Sequence, residues 1–360
     1  ANFTIPLVGL TDTIIMGHMP DSLYLAAIAI GGIVFNFMYA GLNFLRMGTT
    51  GIVAQKFGEN NFEEVFFSLL RPTLIAVSVG FILYLNRNYI YDLSVYFLTP
   101  DQQLLALYKE YLFIRMIGLP AGLLNIVFLG WFFGMQKTKS VMLQLVIINL
   151  MNVIASLYLA VYLEYGIFGV ALGSVLAQIS GLLLSIIIFL NHFKTLNFSS
   201  FDLKKIINLN GFLNLFSISK NLFVRTMLLV SVQAYLIKKS GLIGVDQLAT
   251  MEILIVIFGL SSYTLDAFAH AAESTVGVSI GSKNKKNIYK SIKNTTEFAL
   301  SFSVLIGIVL YITDYYIINL FTNIPVLQNL TIDLREAAMV LDECLTTHAD
   351  DQTTAVFSEC

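Results

Sequence analysis

Three uncharged stretches of more than 20 residues follow one another near the middle of the chain. They cover Met116–Gln136, Ser140–Leu163 and Tyr165–Phe193, and only four residues separate them. The hydrocarbon core of a bilayer, ~30 Å thick, takes about 20 apolar residues at helical rise. Three such stretches in tandem therefore predict an all-α, polytopic helical membrane protein.

The composition agrees with a membrane protein and excludes several other classes. The chain is 57% hydrophobic and 12% charged, whereas soluble domains carry about 25% charged residues. A net charge of −2 argues against a nucleic-acid partner, which would favour a basic face. The sequence has no disulfide framework and no CxxC metal pattern.

The sequence lacks the common enzyme signatures. No HExxH, GxSxG, Walker GxxxxGK[ST] or GxGxxG motif occurs in it. We therefore predict neither catalytic residues nor a cofactor. Uphill transport would have to use an ion gradient, of H⁺ or Na⁺, because no nucleotide site is visible.

Apolar segments and basic loops predict the membrane topology. The nine segments cover residues 3–17, 23–52, 68–86, 111–136, 140–163, 165–192, 211–237, 246–280 and 296–321. Alternate loops and their borders carry twelve basic residues against four. The richer set is Lys56, Arg71, Lys137, Lys139, Lys194, Lys204, Lys205, Lys283, Lys285, Lys286, Lys290 and Lys293. The loops that contain these residues are predicted to be cytoplasmic, since cytoplasmic loops of membrane proteins carry an excess of Lys and Arg.

A long cytoplasmic loop divides the chain into two halves. We predict an N-terminal six-helix lobe at 1–193 with a clipped first helix, and an inter-lobe linker at 194–210. Three helices of a C-terminal lobe follow at 211–322, and then an acidic tail at 323–360. A shift of 223 positions pairs Leu25–Asn61 with Leu248–Asn284, with identity at eight of 37 positions. A parallel repeat of this kind is common in transporters, which bind substrate between the halves.

Ionisable residues inside the predicted spans are the candidate functional groups. Each costs at least ~2.5 kcal/mol to insert, so each needs a protein interior or a watery cavity. Asp12 has no basic residue within its own segment. Asp266, His270 and Glu273 share a helix face, because their spacings of four and seven residues are close to one and two turns. Such carboxylates can carry a proton or a cation.

A structural role for the same residues stays open at this stage. Asp266 or Glu273 would then simply form an ion pair with a basic residue, chosen from Lys220, Arg225, Arg46 and Arg115. His270 would be an interior polar group, and Asn149 and Asn152 would either hydrogen-bond across helices or line a cavity. Arg46 and Arg71 lie near span ends, where long basic side chains are expected to snorkel towards water.

Several stretches resemble the multidrug and toxic compound extrusion (MATE) family, most closely its DinF-like branch. They are PLVGLTDTIIMGH, NFLRMGTTGIVAQKFG, RMIGLPAGLLNIVFLGWFFGMQKTK, SKNLFVRT and SYTLDAFAHAAESTVGVSIG. The resemblance implies two six-helix lobes around a cavity, with about nine of the twelve helices present in this chain. It places the family's coupling carboxylate on Asp12 and its polar C-lobe residues on Asn221, Arg225, Asp266 and Glu273.

The chain also departs from the family pattern. Ser156 stands where the family often has an Asp, and Leu330–Cys360 does not resemble a transporter segment. We expect a secondary antiporter that exports a small organic solute or drug in exchange for H⁺ or Na⁺. It would act as a monomer in the bacterial inner membrane. The alternatives are a flippase for lipid-linked intermediates, which should have a strongly cationic cavity, and an inactive fragment.

Overall fold

The computed structural model describes residues 22–98, 102–193, 223–232 and 265–321, together with Asp12, Ile15 and a few other single positions. Every regular element within these ranges is helical. The predicted all-α class is therefore confirmed. Predicted segments and boundaries at 3–11, 194–222 and 240–261, and the tail from 322 onward, lie outside the described residues.

Ten α-helices make up most of the described part of the chain, together with a 3-10 helix at Gln102–Leu104 and a π-helix at Leu157–Tyr162. The α-helices are α1 Ser22–Leu42, α2 Phe44–Gly58, α3 Phe62–Leu85, α4 Arg87–Leu98, α5 Leu105–Gly134, α6 Thr138–Ser156, α7 Gly166–Phe193, α8 Phe223–Val232, α9 at 265–281 and α10 Lys285–Phe321. Five stretches within these ranges are long and apolar enough to cross a membrane: Phe62–Leu85, Gln102–Gly134, Thr138–Tyr162, Gly166–Asn191 and Lys285–Val309.

Three boundaries differ from the prediction. The segment predicted at 23–52 is broken at Asn43, where α1 ends and α2 begins. Helix α4 was not predicted, because its 12 residues are too few to span a bilayer. Its Tyr96 is 76% exposed, as is usual for aromatic residues at a membrane interface. Helix α10 begins at Lys285, well before the apolar segment predicted from residue 296.

Helix α5 forms the centre of the described core. Its Tyr108, Tyr111, Met116 and Trp131 side chains are fully buried, and α5 packs against α2, α3 and α7. The indole Nε1 of Trp131 donates a hydrogen bond to the Val65 carbonyl oxygen at 3.0 Å, which ties α5 to α3. This helix therefore holds together the elements that carry the candidate site.

Large apolar side chains are exposed on the outward faces of α6 and α7. Leu150, Ile154, Leu183 and Ile187 are each about half exposed. A contiguous apolar surface of this kind is unfavourable in water. It marks a site of interaction with another apolar surface. Lipid tails are the partner that fits helices long enough to span a membrane.

The chain forms two compact units. The first comprises Ala1–Val230 and Asp266–Phe298, and the second Ser231–Leu265 and Ala299–Cys360. Asp12, Arg46 and the side chains that contact them all lie within the first unit. The predicted linker at 194–210 lies outside the part of the chain that the structure describes.

The turn between α2 and α3 is repeated between α9 and α10, at the shift of 223 residues seen in the sequence. Asn60 and Lys283 are equivalent under this shift, and both have positive φ, 57° and 54°. In each turn the next residue caps the following helix. Asn61 Oδ1 accepts from the Glu64 amide, and Asn284 Oδ1 accepts from the Asn287 amide, both at 3.1 Å. The weak sequence repeat thus corresponds to a repeated structure.

Helices α2 and α9 cross at equivalent small residues. A Cβ on Gly58 would clash with the Val278 carbonyl oxygen, and one on Gly281 would clash with the Gln55 carbonyl oxygen. A Cβ on Gly277 would come within 2.7 Å of the Ala54 Cβ. Ala54 is equivalent to Gly277 under the same shift, so the two repeats contact each other through matching positions. Small residues allow the helix backbones to approach this closely.

Candidate functional site

Asp12 lies in a cluster of buried polar side chains. It is 1% exposed, and Asn152, Ser156 and Ser174 around it are almost fully buried. The Ser174 hydroxyl donates to Asp12 Oδ2 at 2.9 Å, and the Asn152 amide donates to Asp12 Oδ1 at 3.3 Å. Helices α6 and α7 supply these donors, and both are continuous around them. The carboxylate is therefore held by rigid elements.

Helix α5 adds a cation and a phenol to this cluster. The hydroxyl of Tyr111 contacts Asp12, and Arg115 interacts with Asp12 electrostatically. Arg115 Nη1 donates to the Tyr111 hydroxyl at 2.6 Å, and its guanidinium lies over the Phe35 ring at 4.5 Å. Asp12 has no basic neighbour in its own segment, but tertiary packing provides one.

One acceptor in this cluster lacks a hydrogen-bond donor. Among the described residues, Asn152 Oδ1 is buried without a hydrogen-bond partner. The amide nitrogen of the same side chain already binds Asp12 and Ser174. A buried acceptor without a donor is costly, and a flip of this amide would turn Oδ1 towards Asp12, where it could accept from the protonated carboxyl.

Arg46 is the centre of a second cluster. Its Nη1 lies 3.1 Å from His270 Nδ1, and its Nε donates to Asn43 Oδ1 at 3.2 Å. A guanidinium only donates, so His270 Nδ1 must be the acceptor and carries no proton in this contact. The contact joins α2, in the first repeat, to α9, in the second. The break in the helix at Asn43 supplies the amide that orients Arg46.

The carboxylates predicted on α9 face this arginine. Asp266 and Glu273 both interact electrostatically with Arg46, and Asp266 also with Arg225. Glu273 Oε2 lies 4.0 Å from His270 Nδ1, beyond hydrogen-bonding distance. No described residue donates a hydrogen bond to this buried oxygen. Asp266, His270 and Glu273, which were predicted to share one face of α9, thus all interact with Arg46 or lie next to it.

Two arginines were predicted wrongly. Arg46 and Arg71 were expected to snorkel, yet both are buried. Arg46 binds His270 as described above, and Arg71 Nη1 donates to Glu64 Oε2 at 3.0 Å. Both guanidinium groups thus make charge-assisted hydrogen bonds within the protein, Arg46 to a buried histidine and Arg71 to a partly exposed carboxylate.

The remaining predicted residues have different positions. Asn149 is buried, but its amide donates to the Leu145 carbonyl oxygen of its own helix at 2.7 Å, so it makes no bond across helices through that group. Asn221 lies outside the described residues. Sequence reasoning missed Tyr111 and Ser174, and considered Arg115 only as a partner for the α9 acids. An ionisable residue within an apolar span was the signal that could have directed attention to Arg115.

Replacing Arg46 by glutamine tests whether Asp266 and Glu273 on α9 need its positive charge for a stable fold. We expect Arg46→Gln to lower the free energy of unfolding by about 1–3 kcal/mol, because the buried Glu273 Oε2 would lose a nearby positive charge. The measurement is thermal or denaturant unfolding of the purified protein in detergent.

The double variant provides the control for this prediction. Arg46→Gln combined with Glu273→Gln should lose less stability than the sum of the single changes, since the neutral amide no longer needs the cation. Strictly additive losses would show that Arg46 and Glu273 do not interact.

Known proteins match most of the chain. The MatE family profile matches residues 1–158 and 222–339. DNA damage-inducible protein F of Escherichia coli (strain K12) is 29% identical over 92% of this chain and 72% of its own length. The probable multidrug resistance protein NorM of Bacillus cereus is 22% identical over 86% of this chain and 70% of its own length. The solved structure of MATE in the bent conformation aligns with a TM-score of 0.80 at 16% identity, over 92% of this chain and 73% of that one.

Proposed function

This chain belongs to the MatE family of multidrug and toxic compound extrusion transporters, and from that premise we propose that it exports an organic solute in exchange for protons. As a member of this family it is a multi-pass membrane transporter and not an enzyme, as the sequence predicted.

The observation that carries the proposal is the Asp12 cluster. A carboxylate that is 1% exposed within the membrane region is costly unless it serves a purpose. Its ionised form accepts hydrogen bonds from Ser174 and Asn152 and faces Arg115. Its protonated form would need an acceptor, and the carboxamide oxygen of Asn152 has no donor among the described residues. With a flip of the Asn152 amide, the cluster could therefore satisfy both forms of Asp12.

The same cluster favours H⁺ over Na⁺. A sodium ion needs several oxygen ligands and a surplus of negative charge, whereas a proton needs one acceptor. Among the residues that the structure describes, Asp12 is the only carboxylate in the cluster, Ser156 contributes a hydroxyl, and the Arg115 guanidinium already balances the charge. A bound sodium ion would be repelled by Arg115 at close range.

The Arg46 cluster is proposed to respond to the solute. Asp266 and Glu273 offer negative charge on α9, and both already interact with Arg46. A cationic solute that binds the carboxylates would compete with Arg46 and weaken its contact with His270. The exchange would loosen the link between α2 and α9, and a ligand can shift a conformational equilibrium only through such a difference in contacts.

The test is transport by the purified chain in liposomes. A cationic dye such as ethidium is present at equal concentration inside and outside, and a pH gradient or a sodium gradient is imposed separately. We expect dye movement against its gradient with the pH gradient alone. Movement driven by sodium at constant pH would assign sodium as the coupling ion instead.

Two further outcomes separate the rival functions. Movement of a pyrophosphate-headed lipid between leaflets without dye movement would identify a flippase. No movement of either substrate under any gradient, by protein that melts cooperatively, would contradict the proposed transport and favour an inactive fragment.

A further inference from the structure

A polar cavity lies where α9 ends, α10 begins and the turn joins α5 to α6. It has a volume of about 260 Å³. Its lining residues are Gln136, Thr275, Val278, Ser279, Asn287, Lys290, Ser291 and Asn294. We propose that this cavity binds the phosphate headgroup of an anionic lipid from the cytoplasmic leaflet. The proposal does not depend on the coupling ion or on the direction of transport.

The lining has the chemistry of an anion site. Lys290 supplies a positive charge, three lining residues carry hydroxyls, and three carry carboxamides. Only Val278 is apolar, and no lining residue is acidic. Thr275 and Ser279 donate their hydroxyl protons to carbonyl oxygens of their own helix. The Ser291 hydroxyl lies 3.4 Å from the Ser279 oxygen, which brings α9 and α10 together at the cavity. The Lys290 ammonium and the three carboxamides are the donors that suit the oxygens of a phosphate.

The charge around the cavity favours an anionic lipid. Four further lysines surround Lys290 in the sequence: Lys283, Lys285, Lys286 and Lys293. The nearby Glu297 is 3.7 Å from Lys293 and so offsets one of them. Lys137 follows the lining residue Gln136 directly. Basic loops identify this end of the span as cytoplasmic, and a lysine cluster beside a span attracts anionic headgroups.

The size and position of the cavity fit a headgroup better than the transported solute. Sites for drug-sized molecules have volumes of about 300–1,000 Å³, and this cavity is smaller. Asn287, Lys290, Ser291 and Asn294 follow one face of α10, at the spacing of successive turns. Phe298 continues that face one turn further and is 66% exposed. A headgroup in the cavity would leave an acyl chain to pack on this phenylalanine.

The test compares lipids retained by the full chain in native mass spectrometry. Purified protein is mixed with equal amounts of phosphatidylglycerol and phosphatidylcholine. We expect the wild type to retain phosphatidylglycerol preferentially, and Lys290→Gln to lower that retention roughly tenfold, because the phosphate would lose a direct hydrogen bond to a charged group. Asn294→Leu, which keeps the branched shape but removes the amide donor without changing charge, should lower it as well.

Lys285→Gln is the matched control. It removes the same charge from the same helix, but Lys285 does not line the cavity. We expect it to change phosphatidylglycerol retention less than twofold. An equal effect of the two lysine variants would show diffuse attraction and overturn the site. Equal retention of both lipids by the wild type would also overturn it, as would loss of bound lipid on adding millimolar glycerol phosphate, which would identify a site for soluble anions.

Discussion

Replacement of Asp12 by asparagine is expected to reduce gradient-driven export to the level of empty liposomes. The asparagine amide has the shape of the carboxylate but cannot take up and release a proton. Ser174 can still donate to its oxygen, and the Asn152 amide can flip to accept from its new amide group, so the fold should be retained. Asp12 is buried between α6, α7 and α5, and removing its charge also removes the cost of burying it.

Transport and stability must be measured together to interpret this variant. Dye export is recorded in liposomes under a pH gradient, and the melting temperature is recorded in detergent. Asp92→Asn is the control, because Asp92 is exposed on α4, outside the predicted spans. Export by Asp12→Asn at the wild-type rate would remove Asp12 from the coupling mechanism.

Alanine at Gly58 or Gly281 is expected to cause the second large effect, by preventing the crossing of α2 and α9. Each new Cβ would clash with a backbone carbonyl oxygen of the opposite helix, and a backbone cannot rotate away as a flexible side chain can. Overpacking of this kind costs about 1–3 kcal/mol. The melting temperature and the rate of dye export should both fall.

Gly51→Ala is a matched control for this experiment. Gly51 lies on the same helix as Gly58, and a Cβ there would meet nothing within 4 Å. It should leave stability unchanged or raise it slightly, since alanine favours a helix over glycine. If Gly58→Ala melts at the same temperature as Gly51→Ala, the two helices do not cross here in the purified protein.

The loss of stability and the loss of dye export in the glycine variants should be compared. A fall in export with little loss of stability would indicate that the crossing belongs to one state of the transport cycle. Arg46 lies on α2 and His270 on α9, so separation of these helices would also break their contact. The glycine variants and the Arg46 variant should then impair export in the same way.

The sequence alone determined the fold class and the leading candidate residue. Uninterrupted apolar stretches can satisfy their backbone polar groups within a bilayer only as helices or closed barrels, and these stretches have the length of helical spans. Asp12 stood out because an acid inside such a stretch is costly and needs a purpose. The repeat at 223 residues was also visible, and its equivalent turns at Asn60 and Lys283 have the same geometry.

Tertiary structure alone decided which groups meet. Arg115 and Ser174 reach Asp12 from helices distant in sequence, and Arg46 binds His270 across 224 positions. Hydropathy indicates whether a residue is favourable in lipid. It does not indicate the direction in which a buried arginine side chain points. That direction follows from how closely the helices pack, and here glycines at the crossing of α2 and α9 set the distance. The partners of a buried charge therefore depend on helix packing, which local sequence patterns do not specify.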